Sequence, residues 1–186
     1  MDFAEITLLR KYMERIAIVG TTGSGKTTLA RQIAERLGCH CCELDAINWQ
    51  PNWTELEADR LVERVGNVVH TDRWIIEGNY ASVRPLIWER ADTLVWLDYP
   101  FPIVFARLLK RTIRRNVTRE NLWSGNRESV RRTLSRDSIL LWCLKTYGMR
   151  RRQYTECVAN PDYSHLKVLR FRHPREVEDW LNRLAA

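Results

Sequence analysis

The residues most clearly suited to chemistry form one short glycine-rich segment, Gly20, Thr21, Thr22, Gly23, Ser24, Gly25, Lys26, Thr27 and Thr28. This segment fits the phosphate-binding pattern G-x-x-x-x-G-K-[ST]. An apolar, β-branched run at 16–19 precedes it, and apolar residues at 29, 33 and 37 follow it with helical spacing. Gly38 stands where glycine ends a helix. The sequence therefore predicts a strand, a phosphate-binding loop and a helix, in the order that the motif requires.

The chemistry of this loop is anion binding. Glycines let consecutive backbone N–H groups point into one concavity, and the helix beginning near Lys26 adds its unpaired N–H groups and positive dipole end. Lys26 is suited to bridge the β- and γ-phosphates of a nucleoside triphosphate, and the Thr27 hydroxyl to hold Mg²⁺. Thr28 is better suited to packing or capping. A phosphate site does not name a reaction, so a kinase, a motor-type ATPase and a GTPase all remain open.

Length and composition limit the class of protein. With 186 residues the chain is long enough for one α/β domain with a full core. It has no long apolar run and an acidic N-terminus, so we expect no signal peptide, no membrane association and a cytoplasmic location. Five cysteines are an odd number and do not suggest a disulfide framework. The group Cys39, Cys41 and Cys42 around His40 matches no zinc pattern well, and ordinary packing is expected.

The positive charge is concentrated in one part of the chain. Residues 107–152 hold 14 Lys and Arg residues and three acids, a local charge of +11, whereas the whole chain carries +7. A basic block on an otherwise acidic chain indicates a polyanionic ligand, either a triphosphate or a nucleic acid.

Three acids follow predicted buried strands. Asp45 follows residues 40–44, Glu77 ends the run from Trp74, and Asp98 follows 93–97. In an open α/β sheet ligands bind beyond the carboxyl ends of the strands, so Asp45 is either a substrate-side carboxylate or a cap of the next turn. Glu77 and Asp98 are competing candidates for Mg²⁺, which is usually coordinated through water in such positions.

Aromatic residues and arginines supply the remaining candidates. Trp49 and Trp53 could stack on a base or sugar, or anchor an insert at 46–70 on the core. The arginines after residue 106 suit a lid that neutralises a transferring phosphoryl group, or they form a solvated basic face; we expect two to four to touch phosphate. Arg172 lies after a fifth predicted strand, at a turn where such folds pass the base of a bound nucleotide.

Taken together, these residues resemble the P-loop kinase group that includes adenylate and shikimate kinases. Within it, the chain most resembles bacterial adenylate-kinase-like proteins labelled DNA topology modulation proteins. The similarity covers almost the whole chain from Arg15 onward. The stretches that carry it are Gly20 to Thr28, Leu44-Asp45 with Trp49-x-Pro51-x-Trp53, Trp74 to Tyr80, Arg90 to Thr93, Trp96 to Pro100, Asn126-Arg127-Glu128, and the last strand and helix.

The resemblance implies one three-layer α/β/α domain over residues 1–186, with a five-stranded parallel sheet in the order 2-3-1-4-5. It also implies a substrate-covering insert at 46–70 and an arginine-bearing lid at about 111–152. The magnesium role falls to Glu77 over Asp98, beside Thr27. The group usually carries Asp-Gly at this strand end, and the Glu-Gly of this chain is a departure.

Two functions are compatible with these residues. The first is a kinase that uses ATP and Mg²⁺: Lys26, Arg111, Arg115 and Arg127 neutralise the γ-phosphoryl group, and Asp45 orients a small acceptor such as a nucleoside monophosphate. The second is an ATP-dependent nucleic-acid-associated protein that modulates DNA topology. We prefer the kinase, because the sequence contains no recognised DNA-binding motif and the basic block coincides with the implied lid.

Overall fold

A parallel five-stranded sheet forms the centre of the molecule in the computed structural model, which describes residues 13–133, 135 and 138–185. Its order is β2-β5-β1-β6-β7, and β3 and β4 form a separate antiparallel hairpin. In chain order the strands are β1 (Arg15–Gly20), β2 (Cys41–Glu43), β3 (Trp49–Gln50), β4 (Thr54–Glu55), β5 (Trp74–Glu77), β6 (Thr93–Leu97) and β7 (Lys167–Phe171).

The helices connect and cover these strands. They are α1 (Lys26–Leu37), α2 (Leu44–Asn48), α3 (Ala58–Val69), α4 (Arg84–Arg90), α5 (Phe101–Thr118), α6 (Val130–Thr133), α7 (Ile139–Val158) and α8 (Pro174–Ala185). Short 3₁₀ turns occupy Pro51–Trp53, Trp123–Gly125 and Pro161–Tyr163. Within the part of the chain that the structure describes, no helix has both the length and the apolar character that crossing a membrane demands.

The sheet has an apolar layer on each face because side chains alternate along its strands. Ile16 and Ile18 of β1 belong to a cluster with residues of α1, α5 and α8. Ala17 and Val19 belong to a second cluster with residues of α3 and α4. Helix α7 supplies Cys143 to the first cluster and Tyr154 to the second. Helix α7 reaches both layers over the carboxyl ends of the central strands, where its residues bond to Asn79 after β5 and to Tyr99 after β6.

The architecture confirms the predicted fold. When only the strands of the large sheet are counted, their order is 2-3-1-4-5, as the resemblance implied. All five cysteines are free thiols, with Cys42 buried and Cys39 and Cys41 packed against the core. Burial raises the pKa of Cys41 to about 12 and that of Cys42 to about 11, which suits structural rather than reactive thiols.

The insert differs in detail from the sequence expectation. It contains α2, the β3–β4 hairpin and α3, and Leu44, predicted at the end of a strand, begins α2 instead. The β2–β5 ladder ends at the pair Glu43 and Glu77. Gly78 comes next with φ +146°, and a Cβ at this position would lie 2.7 Å from Cβ of Leu44. The glycine thus allows α2, with Asp45 in its first turn, to approach the end of β5.

Candidate active site

The glycine-rich segment forms a tight loop between β1 and α1. Gly23 and Gly25 have φ values of +84° and +96°, which glycine adopts without strain. Gly25 is the N-cap of α1, and no side chain caps this end of the helix. The first N–H groups and the positive dipole end of α1 are therefore available to an anion.

The loop opens onto a cleft of about 1810 Å³ at the carboxyl edge of the sheet. Residues 22–28 of the loop line it, together with Asp45, Glu77, Arg111 and Arg115 among the predicted site residues. Gly20 and Thr21 form the base of the loop without lining the cleft. Arg127 and Arg172 are exposed and do not line it either.

Lys26, Thr27 and Glu77 meet at the centre of the cleft. The Thr27 hydroxyl donates to Oε1 of Glu77 at 2.7 Å, and Nζ of Lys26 lies 3.5 Å from the Thr21 carbonyl oxygen. Burial raises the pKa of Glu77, although Lys26 and the Thr27 hydrogen bond act in the opposite direction. Burial lowers the pKa of Lys26, whereas the nearby Glu77 and Asp45 raise it. A hydroxyl and a carboxylate oxygen side by side are donors that fit Mg²⁺.

The competing acid, Asp98, is already neutralised by arginines. Its Oδ2 accepts from Nη2 of Arg170 at 2.6 Å, and its Oδ1 lies 3.0 Å from Nε of Arg151. Arg170 also lies over the ring of Trp96, 4.1 Å from its centroid. Asp98 does not line the cleft. Its carboxylate therefore joins β6, β7 and α7, and Glu77 is the better placed candidate for a metal.

Asp45 faces the cleft from α2 and is held by Tyr80. The Tyr80 hydroxyl donates to Oδ1 of Asp45 at 2.6 Å, which leaves Oδ2 for another partner. Burial and the neighbouring Asp45 raise the pKa of Tyr80, so the phenol stays a donor. Of the two interpretations of Asp45, this geometry favours a cleft carboxylate over a helix cap, because α2 has no side-chain cap bond.

The three predicted lid arginines have different surroundings. Arg111 is largely buried against the cleft, and burial together with Arg115 lowers its pKa. Arg115 pairs with Glu128 at 3.0 Å and approaches Glu120 at 3.9 Å. Arg127 donates to Oδ1 of Asn121 at 2.6 Å. Arg111 is therefore placed to meet a ligand, whereas Arg115 is partly neutralised and Arg127 is directed elsewhere.

Six further arginines line the cleft that sequence reasoning did not select as site residues, namely Arg31, Arg36, Arg84, Arg107, Arg114 and Arg150. Nη1 of Arg107 donates to the Ser24 carbonyl oxygen at 3.3 Å, and Nη1 of Arg150 donates to the Asn79 carbonyl oxygen at 3.1 Å. Arg84 lies over the rings of Trp88 and Tyr154, at 5.8 and 5.5 Å from their centroids. The sequence spacing could have indicated Arg107, because it lies one helical turn before Arg111 and so on the same face of α5. Nothing in the local sequence separates Arg150 from Arg151 and Arg152.

The far end of the cleft is covered by the insert and the turn at 122–127. Trp49 and Trp53 line it with ring centroids 5.5 Å apart in an edge-to-face arrangement. The buried Asn126 accepts from N–H of Trp53 at 2.9 Å and donates to the Gln50 carbonyl oxygen at 2.8 Å. Ser124 donates to the Trp49 carbonyl oxygen at 2.7 Å. Two side chains of the 122–127 turn, Asn126 and Ser124, thus hold the tryptophan turn in place.

Comparisons with known proteins agree with this geometry. The AAA domain family matches residues 16–124. A protein of Pyrococcus furiosus, provisionally named an adenylate kinase, is 40% identical over 55 residues, which span 30% of this chain and 31% of that relative.

Solved structures share the fold at low sequence identity. A shikimate kinase from Acinetobacter baumannii, solved with shikimate, has a TM-score of 0.58 and 15% identity, covering 96% of this chain and 94% of its own. The shikimate kinase of Bacteroides thetaiotaomicron has a TM-score of 0.56 and 16% identity over 92% and 96% of the two chains. A gluconokinase from Sinorhizobium meliloti 1021 has a TM-score of 0.50 and 19% identity, covering 94% of each chain. The chain belongs to the AAA domain family, and its fold is that of the P-loop kinase superfamily.

Proposed function

We propose that this protein is a phosphotransferase that moves the γ-phosphoryl group of ATP to a small acceptor. The observation that carries the proposal is the meeting, in one cleft, of a phosphate loop, a hydroxyl–carboxylate pair and a second carboxylate, contributed by Lys26, Thr27, Glu77 and Asp45. A simple ATPase or GTPase needs the first two features only. The second carboxylate, held by Tyr80, is the addition that suits an acceptor.

Residues at different positions in the cleft have different proposed roles. The loop and Lys26 bind the β- and γ-phosphates, and Thr27 and Glu77 would hold Mg²⁺, which supplies further charge neutralisation when it is bound. Arg111, and also Arg107 and Arg150 from the sides of the cleft, lie where negative charge spreads over the transferring oxygens. In transfer, the acceptor oxygen bonds to the γ-phosphorus as the bond to the β–γ bridging oxygen breaks and ADP leaves.

A nucleoside monophosphate is the acceptor class that we propose to test first. Trp49, Trp53 and Tyr80 offer aromatic surface for a base. Among the described residues, no carboxylate lies within salt-bridge distance of Arg84 or Arg150. An anionic group on the acceptor would therefore neutralise their charges. With an alcohol acceptor, Asp45 would have to take up a proton. With an ionised phosphate, it needs only to orient the acceptor.

The alternative of a nucleic-acid-associated protein receives less support from the positions of the basic residues. Six cations of the 107–152 segment line the cleft, namely Arg107, Arg111, Arg114, Arg115, Lys145 and Arg150. Arg151 is paired with Asp98. A duplex backbone needs cations spread over an open face, whereas these six line the same cleft as the phosphate loop.

The experiment is coupled ATP turnover of the purified protein with Mg²⁺. The acceptor panel contains nucleoside monophosphates, shikimate, gluconate and simple alcohols, with duplex DNA in a parallel reaction. We expect stimulation by a single small acceptor. Stimulation by DNA alone would contradict the kinase and favour the alternative.

A further inference from the structure

The side chain of Asn79 connects the phosphate loop to helix α7. Its Nδ2 donates to the carbonyl oxygen of Gly20 at 2.6 Å, and its Oδ1 accepts from the N–H of the same residue at 3.4 Å. The backbone ladder between β1 and β5 continues just before this point, where Gly78 N–H donates to the Ile18 carbonyl oxygen at 3.3 Å. The amide of Asn79 therefore extends the ladder by one step, onto the first glycine of the loop.

Two residues of α7 complete the junction. The Tyr154 hydroxyl donates to Oδ1 of Asn79 at 2.6 Å, and Nη1 of Arg150 donates to the Asn79 carbonyl oxygen at 3.1 Å. Arg150 and Tyr154 are four residues apart and so lie on one face of the helix. Arg150 lines the cleft and Tyr154 does not. Tyr154 is 1% exposed and packs between Trp88 and Trp96.

The charge at the loop shows why this junction matters. Arg150 is close enough to lower the pKa of Lys26, as Arg111 also does, beneath the larger effect of burial. Two cations on separate elements, Lys26 and Arg150, thus have to be held close together against their mutual repulsion. Asn79 is hydrogen-bonded both to Gly20, where the loop that leads to Lys26 begins, and to Arg150, and these bonds supply that restraint.

We infer that Asn79 is a positioning residue for nucleotide binding, and that Tyr154 acts through it to keep the phosphate loop and Arg150 in register. This inference rests on the proposed function only as far as the loop binds ATP. It assigns a role in binding to Tyr154, a buried side chain outside the cleft.

The test compares two Tyr→Phe variants that each remove one oxygen. Tyr154→Phe deletes the hydrogen bond to Asn79. Tyr163→Phe is the matched control, because its ring packs on the same Trp88, with centroids 5.1 Å apart, and its hydroxyl makes no described contact with the loop. ATP·Mg²⁺ affinity is measured by calorimetry, and ligand-free unfolding is followed separately.

We expect Tyr154→Phe to weaken ATP binding about threefold to tenfold, the equivalent of one lost hydrogen bond, and Tyr163→Phe to bind like the parent protein. Asn79→Ala should weaken binding at least as much. Adding Tyr154→Phe to Asn79→Ala should cause no further loss, since the link is already broken.

Each other outcome has a definite meaning. If Tyr154→Phe lowers the unfolding midpoint but binds ATP like the control, the tyrosine is only structural and the inference fails. Additive losses in the double variant, or parental affinity in Asn79→Ala, would also overturn it. If the parent protein binds ATP no better than the Lys26→Ala variant, the loop binds no nucleotide, and the proposed function fails together with the inference. Specific ATP binding by the parent with parental affinity in Tyr154→Phe overturns the inference alone.

Discussion

At the scale of single residues, Lys26 is the side chain on which the phosphate site depends most directly. It is the cation of the loop, and it faces Glu77 and Asp45. We expect Lys26→Ala to abolish ATP turnover while the protein remains folded. Turnover is measured by the coupled assay and folding by circular dichroism. Lys167→Ala, an exposed lysine on β7, is the matched control, and unchanged turnover in Lys26→Ala would refute the site assignment.

Glu77 should give opposite effects on stability and activity. Because burial raises its pKa, the folded protein binds this proton more tightly than the unfolded chain does. The stability contributed by the neutral carboxyl is present below the unfolded pKa and is lost as pH rises through the folded pKa. Glu77→Gln should therefore raise the ligand-free unfolding midpoint at neutral pH, with the difference disappearing in acid.

The same substitution should lower Mg²⁺-dependent turnover by about 10- to 100-fold, as expected for a metal-orienting carboxylate. Glu63→Gln, on the exposed face of α3, is the control for both measurements. A Glu77→Gln protein with parental turnover would show that Glu77 does not serve the metal.

Asp45 tests the acceptor side of the cleft. Asp45→Asn keeps the shape of the side chain and removes its charge, so transfer to the acceptor should fall more than the affinity for ATP. The comparison requires kcat with the acceptor and, separately, the Kd of ATP. If ATP affinity fell and transfer per bound ATP did not, Asp45 would belong to the metal site.

At the scale of elements, the hydrogen bonds of Asn126 join the 122–127 turn to the insert. Asn126→Ala would leave the Trp53 N–H and the Gln50 carbonyl oxygen without this partner. We expect a loss of about 1–3 kcal/mol in the free energy of unfolding and a raised KM for the acceptor, with little change in the Kd of ATP. Asn67→Ala, on the exposed face of α3, is the control. An unchanged KM for the acceptor would show that this contact has no role in acceptor binding.

At the scale of the whole molecule, the distribution of charge predicts the dependence on salt. The affinity for ATP should fall moderately with ionic strength, because the cleft cations are partly screened. Binding to duplex DNA should be weak. The logarithm of its affinity should fall with the logarithm of salt concentration less steeply than for about three neutralised phosphates, each of which contributes about 0.9 to the slope. Filter binding across a salt series measures this slope, and a much steeper one would favour a nucleic-acid surface.

The sequence by itself determined the phosphate loop, the five strands of the large sheet along the chain and the acids near their carboxyl ends, whereas the order of those strands in the sheet was implied by the family resemblance. The features that the sequence determined are local: a buried β-branched run, a glycine loop and a helical repeat are each encoded within a few consecutive residues. The rule that parallel strands present their carboxyl ends at one edge left Glu77 and Asp98 as competing candidates, and the family resemblance implied Glu77 beside Thr27. The 2.7 Å hydrogen bond between them agrees with it.

Only the tertiary structure decided which of the arginines enter the cleft and which acids stay free. Arg150, Arg151 and Arg152 are alike in sequence, yet Arg150 bonds to Asn79 and Arg151 to Asp98. Their separation follows from the course of α7, which contacts both layers of the core and lies over the carboxyl ends of β5 and β6. Contacts such as Asn126 with Trp53 likewise join residues 73 positions apart, and no local pattern encodes such a distance.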